Sequence, residues 1–238
     1  MITRCAGGGD RECRYRERRN QVTRDKTALE LSFAAALLLA THFAEAGSIM
    51  GSPHDFTVYN WSGGQVCIAC HNPQSANTTV TAAPQWNHTL SAQSYTLYST
   101  ASLKANVNQP GMRSKLCLSC HDGTVAVDSF GGASGTQYIS RAKNVGVTLK
   151  DDHPIGFVYD TALANLSGTL FDPASKSVTI GSGGSTQTGT ISSLLLYDGG
   201  QLECSSCHDV HNKYTAGSSG LMKIGSAGSA ICMACHNK

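Results

Sequence analysis

Apolar residues gather in one continuous run near the start of the chain and are scattered after it. Leu31–Ala40 is almost wholly apolar, with Arg24 and Lys26 before it and the small-x-small sequence Ala44-Glu45-Ala46 after it. A basic flank, a short apolar stretch and a small-residue site together predict an export signal over residues 27–46, with a mature chain beginning at Gly47. A membrane-spanning helix needs roughly 20 apolar residues, so no span is expected in the mature chain. Beyond the signal no 3.6-residue periodicity lasts long enough for an amphipathic helix. Two β-prone runs, Lys176–Ile180 and Ile191–Tyr197, flank the Gly/Ser/Thr-rich stretch Gly181–Thr190 and predict a small hairpin that turns within that stretch. Loops are expected elsewhere.

Composition sharpens the picture. Residues 47–238 carry ten Lys/Arg and ten Asp/Glu, so the expected mature polypeptide is neutral by count. A nucleic-acid partner is excluded, because the phosphate backbone calls for a basic patch. The one strongly basic run, Arg11–Arg19 with five arginines, lies before the export signal. Residues 1–46 therefore read as leader and signal. The first 21 make a longer leader than an export signal ordinarily carries, and translation is expected to start further along, at Val22. Cys5 and Cys13 then have no role in the mature molecule. Residues 47–238 read as one domain, rich in Gly, Ser, Thr, Ala and Asn, which alone buries little apolar surface for its length.

Four Cys-x-x-Cys-His sequences change the reading: Cys67-Ile68-Ala69-Cys70-His71, Cys117-Leu118-Ser119-Cys120-His121, Cys204-Ser205-Ser206-Cys207-His208 and Cys232-Met233-Ala234-Cys235-His236. Two thiols three positions apart can meet the two vinyl groups on one porphyrin edge, and the next histidine then lies under the iron. Zinc knuckles also use Cys-x-x-Cys, but they do not require histidine next. Four such placements are not the work of nine histidines scattered through 238 residues. The motifs predict four covalently attached haem c groups, with His71, His121, His208 and His236 as proximal ligands. Haem attachment takes place outside the cytoplasmic membrane, in agreement with export.

Besides these four the chain has His42, His54, His88, His153 and His211, and His42 falls in the signal. Four spare histidines for four irons predict that His54, His88, His153 and His211 are distal ligands, closing both axial positions. Closed irons carry electrons one at a time and offer no site to a substrate. Met50, Met112, Met222 and Met233 are the alternative axial ligands, and a thioether would raise the potential. A polar neighbour of each distal histidine is expected to take the free ring N–H and so fix which nitrogen faces iron. Phe56, Trp86 and Phe157 are expected to pack and nothing more, and Asp151 and Asp152 to be solvated. The predicted fold is mostly irregular and loop-rich, with short helices at the Cys-x-x-Cys-His sites, a few short strands and a core of stacked haems. Intervals of 50, 87 and 28 residues between proximal histidines argue against a strict repeat.

In order along the chain, Ser52-Pro53-His54-Asp55-Phe56, Cys67–His71, Trp86-Asn87-His88, Cys117–Gly123 with Thr124–Asp128, Asp152-His153-Pro154-Ile155-Gly156, Cys204–Asn212 and Cys232–Lys238 resemble the tetrahaem outer-surface cytochromes of metal-reducing bacteria, the OmcE type. The resemblance covers residues 47–238 and is most specific around His88, His121 and His153. It implies bis-histidine haems and an exported subunit that polymerises head to tail into an extracellular filament. Such a filament takes electrons from periplasmic and outer-membrane donors and delivers them to extracellular acceptors such as metal oxides. It also implies an axial histidine donated across the subunit interface. His54, on an N-terminal arm, and His211, three positions after His208, are the residues best able to reach outward. The competing readings are a monomeric periplasmic electron shuttle and, less favoured, a multihaem oxyanion reductase. An enzyme of that kind needs an open iron position, and with all four motifs ending in histidine and a full spare set, no enzyme activity is expected.

Overall fold

A computed structural model of the chain describes residues 48–74, 79–217 and 220–238. The predicted leader and signal, with Cys5, Cys13 and His42, lie outside the described residues. Helices and strands are short. The longest helix among the described residues, α1 (Met112–His121), carries the second motif in its last turns. A two-residue strand β1 (Phe157–Val158) is followed by α2 (Thr161–Ser167), whose first turn is capped where the Asp160 carboxylate accepts from the Leu163 amide. Then come β2 (Ser177–Ser182) and β3 (Ser185–Thr190), the four-residue α3 (Ile191–Leu194), β4 (Gln201–Leu202), α4 (Cys204–Cys207) and α5 (Ala230–Met233). β1 pairs antiparallel with β4 through Phe157–Leu202 and Val158–Gln201. Among the described residues no helix is long and apolar enough to cross a membrane.

The hairpin is present, with its elements shifted from the sequence expectation. β2 and β3 pair antiparallel from Ser177–Thr190 to Ser182–Ser185, so the connection is only Gly183–Gly184, with Gly183 at φ 58°. Most of the stretch expected to turn is strand. β3 pairs through its backbone and leaves its polar side chains largely to solvent, while Val178 and Ile180 on alternate positions of β2 face inward. The run after Thr190, expected as the second strand, begins instead as helix α3. The Thr190 hydroxyl accepts from the Ser193 amide, and Ile191 is wholly buried.

Val178, Ile180 and Ile191 belong to one apolar cluster with Phe157, Tyr159, Leu163, Leu195, Leu196 and Leu202. The polypeptide thus builds a core of its own in the longest interval between motifs, where the sequence expectation assigned the core to haems. Smaller clusters form around Val80, Ala83 and Trp86 and around Tyr95, Leu118 and Leu149.

One buried carboxylate joins the second and third motifs. Glu203, 2 % exposed, accepts from the Gly111 and Ser114 amides at the start of α1, each at 3.2 Å, and from the Ser114 hydroxyl. The Ser114 oxygen in turn accepts from the Cys204 amide at 3.0 Å. A carboxylate from some 90 residues away thus takes amides that the helix N-terminus leaves without partners, and it packs α1 on α4. A side chain at Gly111 would collide with Glu203. This capping explains why the second motif sits in a full helix where a single turn was expected. Glu203→Ala, which leaves three donors without their acceptor, is expected to cost about 3 kcal/mol in denaturant unfolding, and Glu203→Gln less. A loss below about 1 kcal/mol for the alanine variant would contradict this role.

Candidate haem-binding site

Each Cys-x-x-Cys-His folds as one helical turn. The histidine amide donates back to the first cysteine carbonyl at 2.7 Å in His71→Cys67, 3.1 Å in His208→Cys204 and 2.8 Å in His236→Cys232, and the second motif lies within α1. A turn of that pitch brings both sulfurs of a motif to the same side.

A separate segment then crosses each turn. Asn87 donates to the Cys70 carbonyl and Asn72 to that of Gln85; Val145 donates to the His121 carbonyl; Lys223 donates to the Cys207 carbonyl and Asp209 to that of Leu221; Phe171 donates to the Cys235 carbonyl and Asn237 to that of Thr169. Three of these segments also receive the imidazole N–H. Nδ1 of His71 lies 2.7 Å from the Pro84 carbonyl, that of His121 2.9 Å from Lys143 and that of His208 2.6 Å from Gly220. Gln85 and Leu221, each directly after an accepting carbonyl, take left-handed backbone at φ 52° and 56°, a conformation rare for residues with side chains.

One distal candidate does the same locally: Nδ1 of His153 lies 3.0 Å from the Pro154 carbonyl, whereas His88 has a carbonyl at each ring nitrogen, Thr89 at 2.8 Å from Nδ1 and Ala126 at 3.1 Å from Nε2. A neutral imidazole that donates from Nδ1 presents its lone pair at Nε2. His54 differs, since its Nδ1 is buried with no hydrogen-bond partner. Burial first, and then the nearby His121, His208 and His211, hold its pKa down to about 4. Burial, and then His153, likewise lower that of His236. Both rings are neutral at pH 7, the form that ligates metal.

The histidines come together in pairs. Ring centroids lie 6.1 Å apart in His54–His121, 6.3 Å in His71–His211 and 6.4 Å in His153–His236. A metal–nitrogen bond of about 2 Å on each side separates two trans imidazole centres by about 6 Å, so the spacing suits a shared metal. Every pair joins one motif histidine to one histidine outside the motifs. His208 and His88 remain. His208 is exposed, whereas His88 is 5 % exposed and turns Nε2 toward the Ala126 carbonyl at 3.1 Å and Cys120 Sγ at 3.5 Å.

The sulfurs are arranged in motif order. Cys70 lies within electrostatic reach of Cys117 and Cys120, Cys117 of Cys204, and Cys207 of Cys232 and Cys235, while the Cys117 thiol donates to the Arg113 carbonyl at 3.6 Å. Burial pushes the Cys70 thiol up to about 11 and those of Cys120 and Cys235 up to about 12, whereas contact with Cys117 lowers that of Cys204. A zinc site needs its ligands at one point, and among the described residues no three of His, Cys, Asp and Glu gather in that way. All eight motif cysteines are free of disulfides. Two disulfide-free sulfurs and a histidine per turn suit a thioether-linked haem.

Of the aromatic neighbours, Phe56 lies 6.1 Å from the His54 ring and Trp86 6.0 Å from that of His71, while Phe157 belongs to the main apolar cluster. Asp151 and Asp152 are exposed. Sequence reasoning named Trp86 and Asn87 as neighbours of His88 and Met222 as an alternative ligand, without the crossing role of their segments, and did not single out Glu203 or Lys223; of these two only Glu203, directly before a motif, lay where a local signal could have drawn notice. Compared with known families and with curated proteins, the chain matches none. His54→Ala, His153→Ala and His211→Ala are each expected to leave four haems attached and turn one of the four irons high-spin, as read by electron paramagnetic resonance. A variant in which every iron stays low-spin would remove that residue from the ligand set.

Proposed function

We propose that the chain is an exported electron carrier with four covalently attached c-type haems, and that it works as a subunit of an extracellular cytochrome filament. The observation that carries the electron-carrier reading is the trio of histidine pairs at 6.1–6.4 Å, each holding one motif ring and one ring from outside the motifs. Bound there, haem supplies a reversible one-electron couple.

The residues do the rest. Cys67, Cys70, Cys117, Cys120, Cys204, Cys207, Cys232 and Cys235 would hold haem by thioether bonds, so that it would not exchange with solvent. His71, His121 and His236, faced by His211, His54 and His153, would hold the iron and leave no room for a nitrite or another oxyanion. The carbonyls of Pro84, Lys143, Gly220 and Pro154 hold ring protons on Nδ1, which orients the rings and raises their basicity as ligands. The sulfurs, adjacent in motif order, favour an array in which each porphyrin edge lies near the next. No substrate-binding step is needed.

The filament reading rests on the resemblance of residues 47–238 to the OmcE-type cytochromes, with outer-membrane donors and extracellular metal oxides as acceptors. One observation favours the soluble periplasmic shuttle as a second reading: His54 and His211, the two histidines best placed to reach a neighbour, lie opposite His121 and His71 of their own chain. A ligand shared between copies then falls to the exposed His208, whose opposite face is completed by a second copy or by His88 turned away from Ala126.

The mature protein is expected to have the mass of residues 47–238 plus four haems. A mass with three haems or fewer would undo the ligand accounting. Assembled protein is expected to be low-spin at all four irons and to bind negligible carbon monoxide at neutral pH. A substantial high-spin population would favour the reductase. Negative-stain microscopy of protein sheared from cells is expected to show filaments whose dissociated subunits carry one high-spin iron in four. Monomers that are low-spin throughout would establish the shuttle instead.

A further inference from the structure

Lys223 is a buried cation without an anion. It is 6 % exposed, and its Nζ meets two neutral oxygens, the Tyr197 hydroxyl at 2.5 Å and the Leu194 carbonyl at 3.4 Å. The ring of Tyr197 lies 5.0 Å from Nζ and adds a cation–π contact. Among the described residues one ion pair forms, Arg113–Asp198, so the nearby aspartate is already engaged, and Glu203 is spent on α1. Burying an ammonium group without a counter-charge is costly, and a hydrophobic residue would fill the same space at less cost.

Its position gives the charge a use. The Lys223 amide donates to the Cys207 carbonyl at 2.8 Å, and the Lys223 carbonyl accepts from Gly181 of the hairpin at 2.8 Å. The Tyr197 hydroxyl that touches Nζ also lies 3.4 Å from the Ser205 carbonyl, inside the third motif. Met222, the preceding residue, forms a backbone bridge with His208. Lys223 is therefore bound to the third Cys-x-x-Cys-His turn through its backbone and, by way of Tyr197, through its side chain. Its charge reaches the Cys207 sulfur.

We propose that Lys223 is a positioning residue for electron flow: a fixed buried cation that raises the reduction potential of the haem attached at Cys204 and Cys207. One electron arriving from a neighbouring haem lowers the net charge of that group by one, and an adjacent cation in a low-dielectric setting favours the change. The third haem, inside the motif order, becomes the place where the electron rests longest before it passes on. This rests on the four-haem reading above.

Optical potentiometric titration of the full haem-loaded protein tests it, with Lys223→Met, Lys223→Arg and wild type compared at equal haem content. Lys223→Met is expected to weaken the electron affinity of one haem at least tenfold, a fall of about 59 mV for a one-electron couple, and to leave the other three nearly unchanged. Lys223→Arg, which keeps the charge, is expected to stay near wild type. A Cys204→Ala/Cys207→Ala variant lacks the third haem, and the wave it loses is expected to be the one that moves. Four unmoved waves in Lys223→Met, an equal fall in Lys223→Arg, or movement of a different wave would overturn the proposal. Where the three-haem variant does not fold, the methionine and arginine variants decide by themselves. A wild-type protein without four covalent haems would instead overturn the haem reading before any titration is made.

Discussion

A neutral imidazole has one proton, and where a backbone carbonyl holds it at Nδ1 the lone pair at Nε2 is left for a metal. The rest of this site follows from that hydrogen bond. It is made at His71, His121 and His208 by carbonyls on segments that cross the motif turns, and at His153 by the carbonyl of the next residue. The crossing segments are bonded to the motif backbone as well, so ring and sulfurs are held in one frame. Left-handed backbone at Gln85 and Leu221 is a local cost, offset by the contacts that the carbonyls before them make.

The same small unit, one helical turn with a strap across it, recurs at all four motifs although the intervals between them are uneven. The straps come from different distances and directions: Gln85–Asn87 and Lys143–Val145 follow their motifs, Gly220–Lys223 follows closely, and Thr169–Phe171 precedes its motif by some 60 residues. Spacing arguments therefore found no repeat, while the backbone hydrogen bonds do show one. The apolar cluster around Ile191 and the Glu203 carboxylate supply the rigidity between units, the first by burial, the second by capping α1 from α4.

What the sequence made legible was the chemistry carried by short spacing. Cys-x-x-Cys-His lies within one turn, so its two sulfurs, its histidine and its local helix follow from adjacent residues. The distal candidates came from counting, and three of the four lie opposite a motif ring. Which ring meets which was not legible, because His71–His211 and His54–His121 are set by packing between segments far apart in the chain. The hairpin was found but misplaced, since a two-glycine connection and the Thr190 cap outweighed the β-propensity of Ile191–Tyr197. Lys223 gave no signal at all. A lysine between Met222 and Ile224 reads as a surface residue until the structure closes over it.

The most direct test of the account is an experimental structure of the haem-loaded protein, by cryo-electron microscopy of filaments or by crystallography of subunits, that locates the four irons. The account predicts one iron between His71 and His211, one between His54 and His121 and one between His153 and His236. It predicts the fourth on His208, with the haems following one another in motif order. An iron bound by a motif histidine together with a different partner, or by cysteine thiolates in place of haem, would contradict it.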